Sequence, residues 1–160
     1  MTAGPPRSLA EIRFYVTRAA VGAGAPFGIG EEVAEATVRL ASQDRMDWMA
    51  LSEALDALGS GGSVPPSDDT DSLVSAVIAG PMMAWSSAGW RPDGAMDCPD
   101  LAEDIASALR AEEEPVPPAG GVTPDAAAWE TVQKWFNQCL VPSSAESRLS
   151  GAGAGLVDKD

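Results

Sequence analysis

SLAEIRFYVTRAAVGAGAPFGIGEEVAEATVRLAS, residues 8–42, decides the fold. Two amphipathic runs flank the breaker Gly22-Ala23-Gly24-Ala25-Pro26. In the first, Leu9, Ile12, Val16 and Ala19-Ala20 recur at helical spacing, which predicts a helix over 9–21. Ser8 and Glu11 have the spacing of a capping box, in which each side chain satisfies a free backbone N–H at the helix start. The second helix is expected from near Gly28 to about Ser42, with Ile29, Val33, Ala36 and Leu40 on one stripe. Glu31 and Glu32 are expected in its first turn, where carboxylates favour the positive end of the helix dipole. So short a connection makes the two helices antiparallel neighbours, a helical hairpin.

The pattern continues outward. Trp48, Leu51, Leu55 and Leu58 predict a helix over 47–58 ended by Gly59, and the Gly/Ser/Pro/Asp stretch from Ser60 to Thr70 reads as loop. Asp71 or Ser72 can cap a short helix carrying Leu73, Val74, Val77 and Ile78 and closed by Gly80-Pro81. Residues 82–90 fit either a short strand or an irregular apolar plug. Asp97 is expected to cap a helix from Pro99 with Leu101, Ile105 and Leu109 facing inward, frayed at its end by Glu112-Glu113-Glu114. Beyond Pro115–Gly121, a last helix over 124–140 presents Trp129, Val132, Phe136 and Leu140 and packs back on the hairpin. The expected fold is mainly α, a small helical domain built on the N-terminal antiparallel hairpin. A short β element at 82–92 would make it α+β instead. Residues 1–142 are read as one domain with flexible linkers near 59–71 and 115–122, followed by a Gly/Ala-rich tail at 143–160.

Composition limits what such a domain can do. The chain has 160 residues, of which 45% are hydrophobic, but 28 are Ala and only 30 are Leu, Ile, Val or Phe. A large core is therefore not expected, and the net charge of −14 adds a tendency to disorder. The charge is uneven, since residues 55–118 hold 12 acids and 2 bases while residues 1–54 hold 7 and 5. Histidine is absent, which removes serine triads, cysteine–histidine dyads and most zinc sites. The acidic balance argues against nucleic acid, and no apolar run is long enough to predict a membrane span. The N-terminal 25 residues are amphipathic rather than signal-like, so a cytoplasmic location is expected.

Candidate sites are few. Gly22, Gly24, Gly28 and Gly30 around Pro26-Phe27 read first as a tight interhelix turn. The alternative is an anion site on the free N–H groups of the second helix, which Glu31 and Glu32 oppose. Glu31 and Glu35 share a helix face but lack the histidines of a di-metal bundle, so a solvated acidic face is the simpler reading. Asp68-Asp69-Thr70-Asp71 lacks the Gly and closing Glu of a calcium loop. Cys98 at a helix start would gain acidity, but Asp97 and Asp100 push the other way, and Cys139 reads as core. Five tryptophans supply buried area that the scarce aliphatics cannot. Trp135 and Met49 fall off their stripes and suggest a second apolar face, hence a protein partner.

Both ends of the chain resemble an uncharacterised bacterial family of unknown function. The residues that carry the resemblance are Gly22-Ala23-Gly24 with Gly28-Ile29-Gly30-Glu31-Glu32, and Ser147-Arg148-Leu149 with Gly151 through Gly155 and the acidic terminus. The resemblance implies a cytosolic protein and supplies no reaction. Partner- or ligand-binding candidates are Gly28, Gly30, Glu31 and Glu32 at the hairpin turn, and Arg148, Gly151, Gly153, Gly155 and Asp158 in the tail, whose docking the resemblance favours. The leading expectation is a non-catalytic accessory or protein-interaction subunit with a protein partner or a second copy of itself. The alternative is a small carboxylate-dependent enzyme or ligand-binding protein built on the 22–32 turn and the tryptophans. No catalytic residue, metal ligand or cofactor is assigned.

Overall fold

A computed structural model describes residues 4–61, 74–86, 91–92 and 95–140. Six helices lie in them: α1 (Leu9–Gly22), α2 (Phe27–Ser42), α3 (Trp48–Gly59), α4 (Ala76–Trp85), α5 (Pro99–Arg110) and α6 (Ala126–Cys139). Among the described residues there is no strand; isolated bridges join Arg7 to Val122 and Val74 to Met96. The mainly helical expectation holds.

α1 and α2 form the hairpin, and α6 lies against α1 and α3. Ser8 Oγ accepts from the Glu11 N–H at 3.1 Å, so half of the capping box exists. The Glu11 carboxylate turns back to Arg7 instead of closing the box. α2 starts one residue earlier than expected, behind Pro26, so its first turn holds no acid and Glu31 and Glu32 open the second turn. Asp47 and Asp125 cap α3 and α6 through their carboxylates.

The stretch 76–85 departs most from expectation. Gly80-Pro81 does not end a helix, and residues 82–85 are not a strand: α4 runs through both. Ala76 through Pro81 are all buried, so tertiary packing supplies what the missing Pro81 N–H and the glycine entropy take away. The N-cap of α5 is Cys98, not Asp97. Asp97 Oδ1 accepts from the Ala76 N–H at 2.9 Å, at the start of α4, and from the Cys98 N–H.

The core is made of small and medium side chains. Ile12, Val16, Val33, Leu40, Leu51, Leu55, Ile78, Ile105 and Val132 are fully enclosed, interleaved with Ala19, Ala20, Ala34, Ala36, Ala54 and Ala106. Glycine closes the gaps that alanine cannot. A Cβ on Gly22 would stand 1.9 Å from the Trp135 carbonyl oxygen, and one on Gly80 2.6 Å from Ile105 Cγ2. Around Gly28 nothing lies within 4 Å.

These environments predict opposite signs for one substitution type. Gly28→Ala in the open first turn of α2 should stabilise by up to about 1 kcal/mol, the helix-propensity gain. Gly22→Ala has a backbone atom in its way and should destabilise by about 2–3 kcal/mol despite the same gain. Urea unfolding followed by tryptophan fluorescence measures both, and equal shifts would contradict the packing.

Candidate functional site

The interhelix turn behaves as a turn. Gly24 holds φ +112° with open space around it. Gly30 is buried against α1, where a Cβ would come within 2.9 Å of the Thr17 carbonyl oxygen. Glu31 is exposed and Glu32 half-buried. Glu35 is held by Arg39, whose Nε lies 2.9 Å from its carboxylate, and by Arg13, so it does not converge with Glu31. Among the described residues no group of three or more Cys, Asp or Glu could hold a metal ion. Arg148, Gly151, Gly153, Gly155 and Asp158 lie outside the described residues, as do Trp90 and Asp68–Asp71.

Cys98 faces α3, with Sγ 3.6 Å from the Ala50 carbonyl oxygen. Burial pushes its thiol up to about 11, helped by the charges of Asp97, Glu53 and Asp47. The carboxylates outweigh the α5 N-terminus, and the thiol is the opposite of an activated nucleophile. Trp135 also has an internal role, contrary to expectation. Its indole covers Gly59, and its Nε1 donates to Asp56 Oδ1 at 2.7 Å. Burial opposes the Asp56 charge, but hydrogen bonds from Lys134 and Trp135, together with the Lys134 charge, leave its carboxyl lowered. Met49 does remain exposed.

A different apolar face exists, on α1 and α6. The Phe14 ring is 46% exposed yet ordered by neighbours: Phe136 at 5.6 Å, Tyr15 at 5.6 Å and the Arg18 guanidinium 3.9 Å above it. The rings continue inward from Phe136 to Tyr15 (4.6 Å), to buried Trp129 (5.4 Å) and to Trp48 (6.1 Å). Arg7 covers the other side of Trp129. No carboxylate pairs with Arg18 among the described residues, while Arg7, Arg13, Arg39, Arg45, Arg91 and Lys134 each have one. The stripe pattern of α1 does not point to Phe14. Its signal in the sequence is a large aromatic off the Ile12–Val16 stripe with an arginine four residues on.

The second feature is the segment between α5 and α6. It forms neither helix nor strand over 111–121 and is tied at both ends. Arg39 Nη1 donates to the Ala111 carbonyl at 2.9 Å and to that of Glu113. At the other end Arg7 and Val122 exchange two backbone hydrogen bonds of 2.7 and 2.9 Å. Gly121, at φ +73°, lets the chain close over the Arg7 carbonyl. Between the ties Val116 is 75% exposed. Clefts of about 560 Å³ beside Arg39 and Pro115 and about 480 Å³ beside Pro6, Arg7 and Pro118 flank this strap.

Residues 7–64 match the model of a family described as a protein of unknown function (DUF3726). The match covers α1, α2 and α3, and the N-terminal part of the resemblance lies in its α1–α2 hairpin. No curated protein and no solved structure matches the chain.

The Cys98 environment predicts that, in a Cys139→Ser background, iodoacetamide labels Cys98 about 100-fold more slowly at pH 8 than a free thiol of ordinary acidity. The sign for stability follows. A thiol raised in the folded state contributes stability below pH 9, and that contribution is lost as pH rises through 9 to 11. Rapid labelling at pH 8 without unfolding would contradict it.

Proposed function

We propose that this chain is a non-catalytic accessory or protein-interaction subunit of a cytosolic bacterial system, meeting a protein partner through the aromatic face of α1 and α6. The observation that carries the reading is the ring cluster of α1 and α6, in which Phe14 stays 46% exposed while packed against Tyr15, Phe136 and Arg18. Monomeric proteins expose single apolar residues freely, but an aromatic cluster topped by an arginine that pairs with no carboxylate among the described residues matches the composition of interface centres. The resemblance to a bacterial family supports the source and the cytosolic setting. No helix among the described residues is long and apolar enough to cross a membrane. The acidic balance argues against nucleic acid. The tail, with Arg148, Gly151, Gly153, Gly155 and Asp158, is assigned to the same role, because a run of small residues can enter a narrow groove and arginine can anchor it on a carboxylate.

Native mass spectrometry of the full chain purified from its source tests this reading. The expected result is a stoichiometric complex or oligomer that Phe14→Ala weakens by at least about 30-fold, the loss typical of a central interface aromatic. Thermal stability should change by less than about 1 kcal/mol, since the ring is half in solvent. A monodisperse monomer carrying nothing overturns the reading. A bound metabolite or metal lost in Glu31→Gln would favour the carboxylate-dependent alternative in its place.

A further inference from the structure

We infer that the partner seated on the aromatic face is a second copy of this chain, whose strap at 112–118 lies across Phe14, Arg18 and Phe136. This rests on the reading of that face as a partner surface.

The strap has the form of a ligand. Its sequence is Glu112-Glu113-Glu114-Pro115-Val116-Pro117-Pro118. Proline fixes its own φ and pushes the preceding residue to extended conformations, so Glu114 through Pro118 favour a polyproline II course with Pro115 and Pro118 at PxxP spacing. Such segments dock on aromatic-lined surfaces. The two ties, Arg39 at Ala111 and Glu113 and Arg7 at Val122, hold the strap in place before binding, which removes most of the ordering cost that a free tail would incur. Val116 is the most exposed large apolar residue among those described.

The α1–α6 face has the complementary chemistry. Phe14 and Phe136 offer an aromatic surface, and Arg18 offers a cation that no carboxylate occupies among the described residues. Two copies of a chain with net charge −14 repel one another, so placement matters. Residues 1–54, which include α1, hold 7 acids against 5 bases, whereas 55–118 hold 12 against 2. An acidic strap therefore meets the less acidic half of its neighbour. Both Phe14 and Val116 are exposed in the same chain, so strap and face do not cover each other within one molecule. They can meet only between molecules, as two different surfaces in reciprocal or head-to-tail contact.

Light scattering and sedimentation of the full chain at rising concentration test the inference. The wild type should form dimers or larger species. Phe14→Ala and Val116→Ser change exposed side chains on opposite partners of the contact, and each alone should weaken association at least tenfold. Mixed together they retain one intact surface each, so a heterodimer should form that neither variant forms alone. A full chain that stays monomeric throughout, or a Val116→Ser chain that associates like wild type, overturns the inference. If Phe14→Ala removes a different protein partner while Val116→Ser leaves it bound, the face stands as a partner surface and the second copy does not. Association that appears only on deleting residues 141–160 would make the tail the occupant and likewise overturn it.

Discussion

The closeness of helix backbones is the constraint on which the rest depends. At Gly22 the backbone of α1 meets that of α6, at Gly30 α2 meets α1, and at Gly80 α4 meets α5. In each case the space left is smaller than a methyl group. With few large aliphatics, this chain cannot fill wide gaps between helices, so it brings the helices together until alanine, valine and glycine suffice. Dispersion contacts grow with that closeness, and a modest core becomes dense. Two tryptophans close remaining gaps, Trp135 over Gly59 and buried Trp129 between Tyr15, Trp48 and Arg7.

Most of this architecture was legible. The hairpin and the helices around Leu51, Leu101 and Trp129 follow from spacing alone, because their breakers and caps are local. α4 was not legible past Gly80-Pro81, for a physical reason. The pair reads locally as a stop, and only the burial of Ala76 through Pro81 overrides it. Sequence shows Asp97 only its neighbours along the chain, but its carboxylate also serves the start of a helix 21 residues away.

The candidate surface was legible only in part. An apolar surplus was expected from Trp135 and Met49, yet Trp135 finds a partner in Asp56, which its spacing from α3 along the chain does not reveal. Phe14 stays 46% exposed instead, beside the half-buried Tyr15, where α6 brings Phe136 against both rings. The strap reads in sequence as a linker. Its ties come from Arg39 and Arg7, one on α2 and one just before α1, and neither position signals that role in a linear reading.

The Asp97 carboxylate bears on the order in which the molecule assembles. Val74 and Met96 form a parallel bridge immediately before α4 and α5, and Asp97 Oδ1 then binds N–H groups at the start of both. The two helices leave from a common corner and run side by side in the same direction, so neither can be laid down as the second arm of a simple hairpin. Ser75 Oγ meets the Val77 N–H from within the same segment, whereas the Ala76 N–H takes its acceptor from Asp97, 21 residues on. The start of α4 therefore depends on a contact that closes a loop of the chain, whereas the α1–α2 hairpin is built from near neighbours.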